Sequence, residues 1–142
     1  MALVSKTSSF PDPKDRTPSI LVVEDEVLIR FAISDYLQHC GFRVHVANDA
    51  AEAVRILGKG DPVDLVFSDV VMPGEMNGFG LAQWIRKNRP GLPVVLTSGD
   101  SKKAAVAKEL CENEPFFGKP YDMMQVVAKI RTLITKLAHS SA

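Results

Sequence analysis

The stretch "DLVFSDVVMPGEMNGFG", residues 64–80, joins a buried apolar run to a loop that begins with a carboxylate. Residues 65–67 form a continuous apolar segment, which is typical of a strand covered on both faces of a sheet. The segment leads to Asp69, and a loop with proline and glycine follows. Taken alone, an aspartate at such a boundary is most often a helix cap or a turn former. The rest of the chain decides whether Asp69 has another role.

Two hydrophobic periods alternate along the chain, and together they predict its secondary structure. Continuous or alternating apolar runs predict five strands, at residues 19–24, 42–47, 63–69, 92–99 and 114–120. Apolar residues at helical spacing predict one helix after each strand, at residues 26–40, 49–60, 79–90, 100–113 and 121–138. Asn48 or Asp49 is the capping candidate for the second helix.

Five strand–helix units in succession predict an α/β fold with one parallel sheet and helices on both faces. Right-handed crossovers lead to the flavodoxin-like doubly wound arrangement, a (βα)5 unit with strand order 2-1-3-4-5. Residues 19–138 are expected to form this domain, with a flexible leader at 1–18 and a frayed C-terminus at 139–142. Because neighbouring residues alternate in a strand, Phe116 and Phe117 are expected to point to opposite faces of the sheet.

Composition and charge exclude several classes of function. The chain has 142 residues, of which 46% are hydrophobic and 24% charged, as in an ordinary globular domain. Its 17 basic and 17 acidic residues balance, which argues against a nucleic-acid partner and against a polybasic membrane anchor. No apolar run approaches the roughly 20 residues of a membrane-spanning helix. Cys40 and Cys111 lack metal-binding spacing; a disulfide stays open, and a reducing cytoplasm is the simpler setting.

The polar side chains at the carboxyl ends of the predicted strands are the candidates for a functional site. In doubly wound sheets, ligands bind outside these ends, where the strand order reverses. The first strand ends in Glu24 and Asp25, the third in Asp69, the fourth in Ser98 and the fifth in Lys119. Three carboxylates, a hydroxyl and an ammonium group are therefore expected to converge on one rim of the sheet.

Converging carboxylates repel one another and need a counter-charge, which a hard divalent cation supplies. Mg²⁺, or Mn²⁺ in its place, fits this set because such ions prefer oxygen ligands. Ser98 can donate a hydrogen bond to a phosphoryl oxygen, and Lys119 can neutralise a second one. Asp69 lies between the acidic pair and these two residues. It is therefore the candidate nucleophile that attacks phosphorus to give an aspartyl phosphate.

Four motifs at these positions resemble the receiver domain of two-component response regulators, over roughly residues 19–137: "VVEDE", "VFSDVVMPG", "PVVLTSG" and "FFGKPY". The resemblance implies phosphorelay signalling in which Asp69 accepts a phosphoryl group from a histidine kinase or a histidine phosphotransfer protein. It also implies that Asp25 binds magnesium directly, Glu24 through water, and Val71 through its backbone carbonyl.

The same resemblance implies the remaining site residues. Ser98 and Lys119 would contact the phosphoryl group, and Ser98 and Phe116 would act as the switch. The Lys119–Pro120 peptide bond is expected to be cis. The output face would comprise the helix at 100–113, the fifth strand and the last helix, and it would bind an unknown protein target.

Such a chain is not expected to be an enzyme beyond its own phosphorylation and dephosphorylation. Its expected setting is the bacterial cytoplasm. It is similar to the receivers of hybrid histidine kinases, and it is either a stand-alone receiver or a part of a larger protein.

The sequence departs from the receiver pattern at several positions. Glu24 stands where an aspartate is common, and Ser98 stands where threonine is common. Phe116 lacks the hydroxyl of a tyrosine, so packing alone would govern its rotation. The segment from Pro73 to Gly78 is one residue longer than in chemotaxis-type receivers, and this extra residue is expected to tune access to Asp69.

Three other functions fit the sequence less well. A haloacid-dehalogenase-type phosphatase needs a second acid two residues after the nucleophile, where this chain has Val71. A scaffold that never takes phosphate is disfavoured because all the key side chains are present. A flavin-binding protein is disfavoured because the acids at 24–26 would repel the phosphate of the cofactor.

Overall fold

The computed structural model describes residues 17–98 and 116–140. The strands are β1 (Ser19–Val23), β2 (Arg43–Ala47), β3 (Leu65–Asp69), β4 (Val94–Ser98) and β5 (Phe116–Gly118). The helices of the described part are α1 (Val27–His39), α2 (Ala50–Gly58), α3 (Gly78–Asn88) and α4 (Met123–Ser140). The helix predicted at 100–113 and residues 1–16 of the predicted leader lie outside the described residues.

All five strands are parallel and form one sheet in the order β2-β1-β3-β4-β5, which confirms the predicted flavodoxin-like arrangement. The strand order reverses between β1 and β3. Their register pairs Val23 with Ser68, and β3 in turn pairs Asp69 with Thr97 on β4. This register brings the carboxyl ends of the three central strands to the same rim.

The sheet separates two hydrophobic layers, because alternate residues of each strand point to opposite faces. On β1, Ile20 and Val22 belong to one layer, and Leu21 and Val23 belong to the other. The first layer packs against α1 and α4, with buried side chains at Ile33, Leu37, Val126 and Ile130. The second packs against α2 and α3, with buried side chains at Ala53, Leu57, Leu81 and Ile85.

Side-chain caps define where two of the helices begin. The Asp49 carboxylate accepts a hydrogen bond from the Glu52 N–H at 2.8 Å, so Asp49 is the cap of α2. The Asn77 side-chain oxygen accepts from the Gly80 N–H at 2.9 Å, so α3 begins at Gly78 rather than at the predicted residue 79.

The last strand and the last helix complete the described part. Phe116 packs into the layer of α2 and α3, and Phe117 packs into the opposite layer, which confirms that their side chains point to opposite faces. Arg131 of α4 lies over the Phe42 ring at 5.0 Å and donates to the Cys40 carbonyl at 2.7 Å. Within the described ranges, no helix combines the length and apolarity needed to cross a bilayer.

Candidate functional site

The three predicted acidic residues meet at the rim where the strand order reverses. Glu24 and Asp25 follow β1, Asp69 ends β3, and each offers a carboxylate oxygen within 4.8 Å of the others. The predicted convergence of these carboxylates is therefore confirmed. The convergence arises because β1 and β3 are parallel neighbours in the sheet. Residues that are distant in sequence therefore lie together at the carboxyl ends of the two strands.

Glu24 is an acidic side chain fixed inside the protein, with only 2% of its surface exposed. Its Oε2 accepts a hydrogen bond from the Glu26 N–H at 3.1 Å, and its backbone carbonyl accepts from Arg30 Nη1 at 2.8 Å. Burial raises the pKa of Glu24, and the nearby Asp69 charge raises it further, against the opposing effects of the Glu26 N–H and Lys119. Arg30 could not be identified from the sequence, because nothing in a helical pattern shows which backbone carbonyl an arginine reaches.

Asp69 is buried at the end of β3 and does not cap a helix. The next helix begins at Gly78, and Asn77 caps it. The Asp69 Oδ2 instead lies 3.2 Å from Lys119 Nζ, and its Oδ1 accepts a long hydrogen bond of 3.4 Å from the Val71 N–H. The capping and turn-forming roles considered for Asp69 are therefore secondary to its contact with the ammonium group.

Lys119 lies between two of the acids. Its Nζ is 3.2 Å from Asp69 Oδ2 and 3.6 Å from Glu24 Oε1. Burial alone lowers the pKa of Lys119, but the negative charges of Asp69 and Glu24 outweigh it and raise that pKa above its ordinary value. Lys119 therefore stays cationic at neutral pH. The Lys119–Pro120 peptide bond is cis, as the resemblance implied.

The fourth strand brings Ser98 to the same rim. Ser98 is buried at the end of β4, and its carbonyl accepts a hydrogen bond from the Lys119 N–H at 2.8 Å. Phe116 lies opposite Leu96, below the rim, where it is half-buried. The roles of Ser98 and Phe116 as a switch, and of the Val71 carbonyl as a metal ligand, stay predictions.

Tyr121, to which the sequence patterns assigned no role, supports the turn after β5. The Tyr121 ring makes edge contacts with Phe67 and Phe117, with ring centroids 6.0 and 6.5 Å apart. Burial raises the pKa of Tyr121, so its hydroxyl is neutral at physiological pH. By anchoring residue 121, these contacts help to hold Lys119 over the carboxylates.

The donor set of the site suits a hard cation. Three carboxylates face a single ammonium group within the described rim, which leaves negative charge that is not compensated. The ligand atoms are all oxygens, the type that Mg²⁺ and similar ions prefer. The acidic cluster can therefore hold a metal ion.

Comparisons with known proteins agree with this geometry. The family model of the response regulator receiver domain matches residues 20–131. The sensor kinase CckA of Brucella abortus is 35% identical over 121 residues, which cover 83% of this chain and 13% of that protein. The uncharacterized transcriptional regulatory protein YbdJ of Bacillus subtilis is 32% identical over 115 residues, covering 81% of this chain and 50% of that protein. This chain thus spans half or less of the length of these relatives.

A solved structure shows the same architecture. The response regulator protein TrrA from Thermotoga maritima, in complex with Mg(2+)-BeF, superposes with a TM-score of 0.72 at 27% identity, covering 82% of this chain and 99% of that one. The family match extends over most of the chain and includes every rim residue described above. This chain therefore belongs to the family of response regulator receiver domains, which act in two-component phosphorelay signalling.

Proposed function

We propose that Asp69 is the phospho-acceptor of this receiver and takes its phosphoryl group from a phosphohistidine in a magnesium-dependent reaction. One observation carries the proposal. The Lys119 ammonium lies 3.2 Å from the Asp69 carboxylate inside a cluster of three acids. A carboxylate in this position can act as a nucleophile, and the ammonium group can stabilise the charge that develops on the transferred group.

The transfer forms one bond and breaks one. A carboxylate oxygen of Asp69 attacks phosphorus, and the phosphorus–nitrogen bond of the donor breaks. The electron pair stays on the imidazole, which is protonated on its other nitrogen and so leaves as a neutral group. Lys119 neutralises one phosphoryl oxygen, and the Ser98 hydroxyl donates a hydrogen bond to another.

The acidic cluster would hold Mg²⁺, or Mn²⁺ in its place. Asp25 and Asp69 would bind it directly together with the Val71 carbonyl, and Glu24 through water. When bound, the ion neutralises the repulsion between the carboxylates and the incoming phosphoryl oxygens. The all-oxygen donor set and the Mg(2+)-BeF complex of the similar protein TrrA support this assignment.

The donor is a protein, either a sensor histidine kinase or a histidine phosphotransfer protein. Similarity to the sensor kinase CckA supports this. The surface beside the rim supports it too, because Val27, Leu28 and Phe31 at the start of α1 are 64%, 83% and 69% exposed. Large apolar side chains that are exposed together favour contact with a protein surface.

The output is a change in partner binding rather than turnover of a substrate. Phosphorylation would draw Ser98 toward the phosphoryl group and allow Phe116 to move into the vacated space. The face formed by the predicted helix at 100–113, β5 and α4 would then bind a downstream protein target in the bacterial cytoplasm. The half-buried position of Phe116 on the strand next to Ser98 supports this coupling.

Intact-mass measurement tests the assignment of Asp69. After incubation with acetyl phosphate and Mg²⁺, one added phosphoryl group is expected on the wild-type protein and none on Asp69→Asn. A screen of purified histidine kinases from the same genome identifies the donor. Absence of an adduct with every donor, the cognate kinase included, would contradict the proposal.

A further inference from the structure

After Asp69 the chain forms a loop, and the start of α3 then packs against the backbone beside Asp69. Gly78, the first residue of α3, is buried and donates its N–H to the Val70 carbonyl at 2.9 Å. The Val70 N–H donates to the Thr97 carbonyl of β4 at 2.8 Å. The residue that follows Asp69 is thus held by β4 on one side and by the start of α3 on the other.

The close approach of Gly78 to the Asp69–Val70 backbone leaves no room for a side chain at residue 78. A Cβ atom on Gly78 would lie 2.4 Å from the Asp69 carbonyl oxygen and 2.7 Å from the Val70 Cα. Both atoms belong to a backbone segment whose N–H and C=O groups are hydrogen-bonded, so they cannot turn aside as the end of a side chain can. Its φ does not lie in the left-handed region, so space rather than backbone conformation requires the glycine.

No other glycine in the described ranges has such a backbone contact. A Cβ on Gly80 would meet the Met76 side chain at 2.8 Å, and methionine side chains are flexible. A Cβ on Gly58 would meet nothing within 4 Å. These two positions therefore separate the loss of a helical glycine from the loss of the close approach to Asp69.

We infer that Gly78 is a positioning residue for phosphoryl acceptance, because its missing side chain lets α3 hold the Asp69–Val70 backbone in place. The inference rests on the proposed function of Asp69. The Asp69 side chain lies between Lys119 on one side and the Val71 N–H on the other. A shift of its backbone away from a new Cβ moves the carboxylate relative to Lys119. Since Val71 follows directly, its carbonyl moves as well.

The expected effect is large because reaction rates are sensitive to the position of the nucleophile. A Cβ that lies 2.4 Å from the Asp69 carbonyl oxygen must move about 1 Å away before the two atoms are in ordinary van der Waals contact. Misplacement of a reacting group by about 1 Å lowers a rate on the order of 100-fold. Gly78→Ala is therefore expected to lower the rate of phosphorylation by about 10- to 100-fold.

The experiment follows phosphorylation by acetyl phosphate with saturating Mg²⁺, using intact mass, on the wild type, Gly78→Ala, Gly80→Ala and Gly58→Ala. It records both the rate constant and the final amount of adduct at high donor concentration. A role in positioning lowers the rate constant, whereas a loss of folded protein lowers the final amount. Circular dichroism and thermal unfolding show whether each variant is folded.

The phosphorylation rates of the wild type and the three variants test the inference. A slow rate in Gly78→Ala alone, with both other variants within about twofold of the wild type, supports the inference. A wild-type rate in folded Gly78→Ala, or an equal fall in Gly58→Ala, overturns it. A wild-type protein that takes no phosphoryl group from any donor overturns the proposed function and this inference with it.

A second variant covers the case in which Gly78→Ala does not fold. Asn77→Ala keeps the glycine but removes the hydrogen bond to the Gly80 N–H that holds the first turn of α3. A fall in its phosphorylation rate of roughly threefold or more supports the inference, because a cap fixes the start of a helix. An unchanged rate overturns it.

Discussion

Among the single residues of the rim, Lys119 has the contacts that the proposed phosphoryl transfer requires of a charge-stabilising group. Its ammonium lies within 3.6 Å of two carboxylates. We expect Lys119→Gln to lower the phosphorylation rate by about 10- to 100-fold, since removal of a charge-stabilising group usually costs at least this much. Lys129→Gln on the exposed face of α4 is the matched control. Equal rates in the two variants, measured by intact mass with acetyl phosphate, would contradict this role.

Glu24 is a buried carboxylate whose charge opposes folding when no metal is bound. Its pKa in the folded protein is raised above the ordinary value of 4.5, chiefly by burial. The folded state therefore binds more protons than the unfolded state between these two pKa values, and the wild-type protein loses stability as the pH rises through this window. Glu24→Gln has no ionisable group at this position, so it does not lose stability in this way as the pH rises.

The prediction for Glu24→Gln is a higher free energy of unfolding in the presence of a chelator at pH 7, on the order of 1 kcal/mol. The difference from the wild type should shrink as the pH falls through the folded-state pKa and vanish below 4.5. Urea unfolding at several pH values measures it. A difference that is constant with pH would show that the charge of Glu24 is not its cause.

Among the helices, α1 begins with an apolar surface formed by Val27, Leu28 and Phe31, which are largely exposed in the described part of the chain. Because this surface adjoins the rim, we expect Phe31→Ser to slow transfer from the phosphorylated protein donor by about tenfold, the effect of losing roughly 1.4 kcal/mol of contact. The rate with acetyl phosphate should not change, since a small donor does not cover α1. Phosphotransfer from the cognate kinase measures the effect.

Tyr36→Ser is the matched control for this prediction. Tyr36 is also an exposed aromatic residue on α1, but it lies farther along the helix from the acidic rim. A similar loss of transfer in both variants would point to a weakened helix, and an equal loss with acetyl phosphate would point to a damaged site. Either result would contradict a docking role for the start of α1.

The strands and helices also show which structural features a local sequence pattern can predict. Periodicity predicted each described strand and helix, because buried faces impose a repeat on the apolar residues. The boundaries moved by a few residues, as at β5, where the described strand ends at Gly118 rather than at the predicted residue 120. Caps explain two of the helix starts, but the seating of Gly78 against Asp69 has no local signal. It depends on where the loop brings α3.

At the scale of the whole molecule, metal binding and folding should be linked. A ligand that binds the folded state alone stabilises it by about 1.4 kcal/mol at ten times its dissociation constant. We therefore expect Mg²⁺ to raise the unfolding temperature of the wild-type protein and to lose this effect in Asp25→Asn. Asp61→Asn is the control, because Asp61 is exposed at the opposite end of the sheet. Equal Mg²⁺ effects in both variants would argue against a metal at the acidic cluster.

Sequence patterns were enough to predict the fold class, the strand order and the five polar residues of the rim: Glu24, Asp25, Asp69, Ser98 and Lys119. It could do so because parallel strands expose their carboxyl ends on one side, so the residues that end them must meet. The contacts that set the chemistry of the site were visible only in the folded protein. These contacts are the ion pair of Lys119 with Asp69, the hydrogen bond from Arg30 to the Glu24 carbonyl and the close approach of Gly78 to the Asp69 backbone. Such contacts join segments up to 50 residues apart in the chain. They also depend on packing at the level of a few tenths of an ångström, and no local sequence pattern encodes packing of this precision.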